Sequence, residues 1–506
     1  MRRLAIAGLV VCACGPSVRD VTDVGGAVVV IDTDMPVPKL VSRLRIDLYA
    51  DDGTWYATHD VERAQPTDFP TSFGVYTPDD TQARVVLVRI RAYQEGKVRD
   101  YRGERFDPGP PANAAPFSIP AAPKPTDQPR LVDDAGNDVT PSSEPEPRLA
   151  IDRLVQVRLV PGTIGAARVV LRGACVGTMA DVAGRASCVD TERTREPVSE
   201  TPLGDDRSLG PSLVGQFDPP RPCTAPVRTP RPGLLEDEVC IPGGAFVLGS
   251  HDDVFTLVDD LPERVAIVAP FRMDRFEVTV ARWRQAVADG FVSPDDTPVA
   301  NEGALDTKVI TFEDPSLCSW SKTPRERETY ALSCVSQIAA HAFCKYLGAD
   351  LPSEAQWEYA ASVAGRARKS RFPWGGDDSV EPTCARAVWG RGELPLILQQ
   401  CIASGFGPLA VDARAADGGD VTPTFGIVGF GGGVSEVLRD SWAPMNAACW
   451  ARATLFEPTC DAPSTVTAGR GGSWHDNVVG TIVAVRRAAD GISSVLGLRC
   501  VRSGEP

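Results

Sequence analysis

Histidine is scarce in this sequence of 506 residues: only His59, His251, His341 and His475 occur, and they are widely scattered. No H-E-x-x-H pair, G-x-S-x-G elbow, phosphate loop or C-x-x-C pair is present. The short signatures of zinc proteases, serine hydrolases, nucleotide-binding loops and zinc ribbons are therefore lacking. Positive charge is also in short supply, with 52 Lys and Arg against 67 Asp and Glu and a net charge of −15. An acidic chain without a basic tract is not expected to bind nucleic acid. Beyond the N-terminus no apolar run is long enough to span a bilayer. At 43% hydrophobic residues the chain can still bury a core and divide into two or three domains.

The first residues carry an export signal. Arg2-Arg3 precede an apolar run, Leu4 to Val11, and then Cys12-Ala13-Cys14-Gly15. This pattern reads as a secretory signal over 1–13 and resembles a bacterial lipobox with lipid attachment at Cys14. Ala13 supplies the small residue before that cysteine, whereas Val11 is too bulky before Cys12. The competing reading is an ordinary signal peptide with two incidental cysteines. Lipidation would tether the protein to a membrane surface without a spanning helix. Gly15, in place of an aspartate, points to the outer membrane of a bacterial envelope.

Export places the cysteines in an oxidising compartment. Of 14 cysteines, Cys12 would be cleaved with the signal and Cys14 lipidated, which leaves twelve, an even number, for disulfides. Close pairs are Cys175 with Cys188, Cys223 with Cys240, Cys318 with Cys334, Cys384 with Cys401, and Cys449 with Cys460. Spacing alone does not determine connectivity.

After a tether over 14–23, residues 24–190 read as an all-β sandwich. Ala27 to Ile31 and Arg84 to Ile90 are β-branched runs, Leu44, Ile46 and Leu48 alternate with Arg45, Asp47 and Tyr49, and Leu154 to Val160 and Ala167 to Leu171 add strands. A Pro-, Ala- and Ser-rich stretch over 107–147 reads as a long mobile loop within it. Residues 191–235 read as a linker, and 236–506 as a second domain. Within that domain, Ile338, Ala342, Phe343, Tyr346 and Leu347 predict one apolar helix stripe, closed by Gly348 as a left-handed cap. Ser353 and Gln356 predict a capping box opening a second helix, with Trp357, Tyr359, Ala360 and Ala361 as its packing residues.

The wording of this region resembles the formylglycine-generating enzyme (sulfatase-modifying factor) family. The matching words are Val335-Ser336-Gln337, Ala340 to Cys344, Leu347 to Ala360 and Phe372-Pro373-Trp374-Gly375. They extend upstream to Ile241 to Ser250, Leu261-Pro262-Glu263 and Phe276 to Thr279, and downstream to Arg470 to Trp474 and Gly497 to Cys500. All occur in family order over about residues 236–503. The resemblance implies an α+β, C-type-lectin-like fold with few regular elements, and a disulfide between Cys344 and Cys500.

The resemblance also implies a copper-dependent oxidation of a substrate cysteine to formylglycine, and here the sequence departs from the family. The two copper-binding cysteine positions are Asp476 and Thr481, hard donors ill suited to Cu(I). In the calcium segment Gly432 to Val437, only Glu436 keeps a ligand side chain, and Arg386 stands where a second segment carries an asparagine. Such ions take six to eight oxygens. The three-histidine iron site of sulfoxide synthases, which share this domain, is not matched either. The expectation is no cofactor, with copper disfavoured and calcium through Glu436 a candidate.

Two functional readings follow. In the first, the chain is a lipid-anchored surface protein with a non-catalytic binding or structural module and an unidentified protein or glycan partner. In the second, it is an enzyme modifying a protein or small molecule through a rebuilt site at Ser473, His475 and Asp476, where an acid/base role is conceivable. His475 and Asp476 read most simply as an exposed polar pair, His341 as a surface residue, and Glu436 as a capped loop carboxylate.

Overall fold

The computed structural model describes residues 25–76, 81–94, 105–107, 130–132, 149–190, 194–250, 263–306, 313–375, 382–392, 401–416, 418–464 and 466–503. The signal, Cys12, Cys14, the tether, His251, Leu261-Pro262 and most of 107–147 lie outside these residues. Among the described residues no helix is long and apolar enough to cross a membrane.

The N-terminal half is mostly β. In chain order its strands are β1 Gly26–Thr33, β2 Arg43–Ala50, β3 Trp55–Glu62, β4 Thr71–Tyr76, β5 Arg84–Tyr93, β6 Arg105–Asp107, β7 Arg130–Val132, β8 Ile151–Leu159 and β9 Ile164–Leu171. One sheet runs β4-β1-β9 and a second β3-β2-β5-β8. Within the expected loop, β7 pairs antiparallel with β6. Val29, Ile31, Leu44, Ile46, Val88, Ile90, Val157 and Val169 from both sheets share one buried cluster, as period-2 alternation requires. The residues that alternate with Leu44, Ile46 and Leu48 are not exposed, however. Arg45, Asp47 and Tyr49 are buried, and Arg91 Nη2 donates to Asp47 Oδ2 at 2.6 Å. Ion pairing and neighbouring chain therefore cover the second face.

Short strands β10 Ala186–Ser187 and β11 Glu196–Pro197 follow. Residues 201–223 then stay on the sandwich: Ala166 and Gly204 exchange backbone hydrogen bonds, and Leu203, Val214 and Phe217 pack on its core. The Cys223–Cys240 disulfide joins this stretch to the next strand.

The C-terminal half contains β12 Glu238–Ile241, β13 Gly244–Leu248, β14 Arg264–Val268, β15 Phe271–Asp274, α1 Val280–Ala288, α2 Gln337–Tyr346, α3 Glu354–Ser362, β16 Ser435–Ser441, α4 Ala448–Arg452, β17 Thr467–Arg470, β18 Arg486–Ala489, β19 Leu496–Gly497 and β20 Val501–Ser503. Its largest sheet is β18-β17-β16-β19. The β13–β14 hairpin is apolar on both faces. Ala245, Val247, Val265 and Ile267 enter the sandwich core, while Phe246, Leu248, Ala266 and Val268 enter the C-terminal core. One hairpin thus contributes a face to each of two buried apolar clusters.

Helix α2 departs from the expected stripe. Its buried residues are Ala339, Ala340, Phe343 and Cys344, whereas Ile338 and Tyr346 are 64% and 44% exposed. Small side chains and the Cys344–Cys500 disulfide set the close approach, so bulk was a poor guide to the inner face. Gly348 follows with φ +65°. Helix α3 opens with the reciprocal capping box of Ser353 and Gln356, and all nine of its residues are buried.

Candidate functional site

Strand β17 ends in Arg470, and Gly471-Gly472-Ser473-Trp474-His475-Asp476 turn away from it. Trp474 is fully buried, and its backbone N–H donates to Gly433 O at 2.7 Å, which ties this turn to the glycine turn at 429–433. The His475 ring meets Trp474 edge-on at 5.2 Å and presses on Gly392, where a Cβ would collide with the imidazole. His475 is only 4% exposed, so it is not part of an exposed pair: Trp474 and the 390–392 segment cover it. Burial pushes its pKa down, with Asp476 opposing, and the imidazole is neutral at neutral pH.

Asp476 is already engaged. Its Oδ2 accepts from Ser473 N at 2.7 Å and from Arg487 Nη2 at 2.8 Å, and Oδ1 accepts from Arg487 Nη1 at 3.2 Å. Thr481, in the turn before β18, donates its hydroxyl to Val478 O at 2.7 Å. Both positions present oxygen donors committed to protein partners, which does not fit Cu(I). All twelve cysteines among the described residues lie in disulfides: 175–188, 223–240, 318–334, 344–500, 384–401 and 449–460. No described thiol remains for a soft metal. Ser473 Oγ is buried without a hydrogen-bond partner, so it is not paired with His475 as a nucleophile–base dyad requires.

Glu436 lies in β16, not in a loop. Its Oε1 accepts from Arg499 Nε at 2.9 Å and Nη2 at 2.8 Å, and its Oε2 accepts from Trp357 Nε1 at 2.7 Å. Both oxygens are engaged by protein, which makes Glu436 a poor calcium ligand. Arg386 stacks over Trp374 at 5.4 Å, adding a cation beside the glycine turn. His341 lies on the surface of α2, with Nε2 3.1 Å from Asp350 Oδ1.

Several motif residues form a second buried ionic cluster. Glu354 receives Arg486 at 2.6 Å and Arg470 at 3.1 Å, and Arg470 also pairs with Glu358 at 2.8 Å, which in turn contacts Lys369. These buried ion pairs are packing contacts that tie α3 to β17 and β18.

The residues that sequence reasoning missed are acidic. Glu277 and Asp420 are buried and line one small cavity with Val388, Gly429, Gly432 and Gly433. Burial pushes Glu277 up to about 8 and Asp420 up to about 7, with Arg499 opposing and Glu436 reinforcing in each case. A signal was present in the glycine density of Gly426 to Gly433, which marks close backbone approach.

The chain is 31% identical to a hercynine oxygenase of Mycolicibacterium smegmatis over 33% of its own length and 40% of that protein's, so it spans less than half of that relative. It is 26% identical to the formylglycine-generating enzyme of Thermomonospora curvata over 56% of its own length and 97% of that enzyme's. The mouse formylglycine-generating enzyme is also 26% identical, over 55% of this chain and 78% of that protein. Among solved structures, PvdO from Pseudomonas aeruginosa aligns with TM-score 0.38 and 21% identity over 53% of this chain and 95% of PvdO. The profile of the sulfatase-modifying factor enzyme 1-like domain matches residues 224–504, more than half of the sequence, and the chain belongs to that family.

Proposed function

We propose that this chain is a lipid-tethered envelope protein whose sulfatase-modifying-factor domain serves binding or structure rather than cysteine oxidation. The observation that carries this reading is the chemistry at the two copper positions. Asp476 is locked to Arg487 and Ser473 N, and the Thr481 hydroxyl is spent on Val478 O. The buried ionic residues Glu354, Arg470, Glu436 and Arg499 are consistent with motif words kept for shape. The lipid anchor at Cys14, an outer-membrane location, a C-type-lectin-like description of the domain and a protein or glycan partner belong to the same proposal.

The test is an oxidation assay. Purified protein is incubated with copper, oxygen and a cysteine-containing peptide, and aldehyde is captured and read by mass spectrometry. No conversion is expected; formation of formylglycine would overturn the reading. Loss of metabolic lipid labelling in a Cys14→Ala variant tests the anchor separately.

A second reading, an enzyme rebuilt around Ser473, His475 and Asp476, rests on their adjacency in the one turn after β17, where Asp476 accepts from Ser473 N. It requires that His475→Ala abolish turnover of a substrate with the fold intact, and an unchanged rate would remove it.

A further inference from the structure

We propose that the end of the sandwich at which the chain enters β1 rests on the surface of a zwitterionic phospholipid bilayer, with the sulfatase-modifying-factor domain held at the opposite end. This rests on the reading of Cys14 as a lipid anchor. Gly25 stands eleven residues after Cys14, so the anchored residue lies within about 40 Å of Gly25 by any path. The strand register fixes what else lies at that end. Gly26 is level with Tyr76 at the close of β4 and with Ile164 at the opening of β9. Leu159 at the close of β8 is level with Arg84 at the opening of β5, and β2 closes there with Ala50 opposite Val86. A Cβ at Gly25 would collide with Val160 O, so the tether joins the fold beside the β8–β9 turn.

The second observation is where exposed apolar side chains fall. Among the described residues of 25–190, the large apolar side chains left exposed are Tyr56, Tyr76 and Val160, at 43%, 57% and 40%. All three lie at this end: Tyr56 is the second residue of β3, Tyr76 the last of β4 and Val160 the first after β8. The Tyr76 ring is laid over Gly26 and Gly74, where a Cβ would stand 2.9 and 2.6 Å from ring carbons. A tyrosine ring with its hydroxyl suits the headgroup layer of a bilayer. Charge at this end is mixed. Asp51 pairs with Arg185 at 2.9 Å, Asp52 accepts from Thr54 N at 2.9 Å, and Arg84 is exposed. The described residues there form no basic patch, so apolar insertion is the recognising chemistry and a zwitterionic surface the partner.

The far end of the sandwich is already occupied. In the segment after β1, Met35, Val37 and Leu40 share a buried cluster with Val247 of β13, and Lys39 Nζ lies 5.9 Å over the Tyr359 ring of α3. The eight residues of β1 therefore set the second domain roughly 25 Å from the bilayer.

The test uses the full mature lipidated chain in vesicles of phosphatidylcholine and phosphatidylethanolamine, with p-benzoylphenylalanine at position 76, 160 or 292. Val292, 82% exposed in the C-terminal half, is the reference. Flotation reports anchoring; irradiation and mass spectrometry then count lipid adducts on the chain. Adducts at 76 and 160 should exceed those at 292 several-fold. Tyr76→Asp, with lipid and circular dichroism unchanged, should lower the yield at 160 several-fold. An anchored chain with equal yields at all three positions, or a yield at 160 unmoved by Tyr76→Asp, would overturn the proposal and leave the anchor standing. A chain that carries no lipid and does not float would remove the anchor reading, and this proposal with it.

Discussion

Arg499 donates two hydrogen bonds to Glu436 Oε1, at 2.9 and 2.8 Å, inside a core from which water is excluded. The same guanidinium reaches Asp274 O at 2.9 Å and Val428 O at 2.7 Å. One arginine therefore pins β15, the start of the glycine turn and β16 together. Removing one partner of such a pair leaves the other charge buried alone. Arg499→Ala should cost about 3–5 kcal/mol of unfolding free energy, measured by denaturant titration. A loss below about 1 kcal/mol would mean that the pair does not hold the core.

The shared hairpin makes a different prediction. Val247 and Ile267 project into the sandwich core while their neighbours Phe246 and Ala266 project into the other. A single cooperative transition is expected for both halves, because neither core closes without β13 and β14. Ile267→Ala should destabilise by about 2–5 kcal/mol and lower the unfolding of both halves together. Two separated calorimetric transitions, with only one displaced by the substitution, would contradict a common core.

Cys344 and Cys500 join α2 to the segment before β20 across 156 residues of sequence. Removing a long-loop cross-link of this kind costs about 2–5 kcal/mol. The double variant Cys344→Ala/Cys500→Ala should lose that amount in denaturant unfolding, whereas opening the short Cys449–Cys460 loop of 11 residues should cost less. Equal losses would argue that strain or packing, rather than loop closure, sets the contribution.

These cases show what could be read from the sequence. The Ser353–Gln356 capping box was legible because its chemistry is contained within four residues. The strand with Leu44, Ile46 and Leu48 was legible because alternation encodes one buried face; its second buried face was not, because Asp47 meets Arg91 only across the sheet. The α2 stripe failed at Ile338 and Tyr346 because small residues, Ala339 and Ala340, were chosen for close packing and bulk was not. At the candidate site, the residue types Asp476 and Thr481 could be read directly from the sequence, whereas their engagement by Arg487 and by Val478 O could not. The Glu277–Asp420 cavity could not, because its carboxylates converge only through tertiary structure and its walls are glycine.

Buried acids dictate how stability should follow pH. Burial pushes Glu277 up to about 8, helped by Glu436 and opposed by Arg499. Asp420 is pushed to about 7 by burial and Glu436, against Gly431 N–H and Arg499. Asp440 reaches about 7 through burial and the Glu354 charge, against the N–H groups of Cys460 and Glu354 and against Arg439. In the unfolded chain these groups titrate near pH 4. Between about pH 4 and 8 the folded state therefore holds protons that the unfolded state has released, and stability falls as pH rises. Glu354 works the other way below that window: burial is outweighed by Arg486 and Arg470, which hold it low, so its contribution is lost as pH falls through its folded value. His475, depressed mainly by burial, adds a smaller gain as pH rises towards 6.5. Because these and the other raised carboxylates, Asp32, Asp34, Asp218 and Glu457, outnumber the one depressed histidine, Tm should be lower at pH 8 than at pH 5, and Asp420→Asn should flatten the slope. A Tm that rises between those pH values would show that these carboxylates are ionised in the folded state and that their charge is compensated.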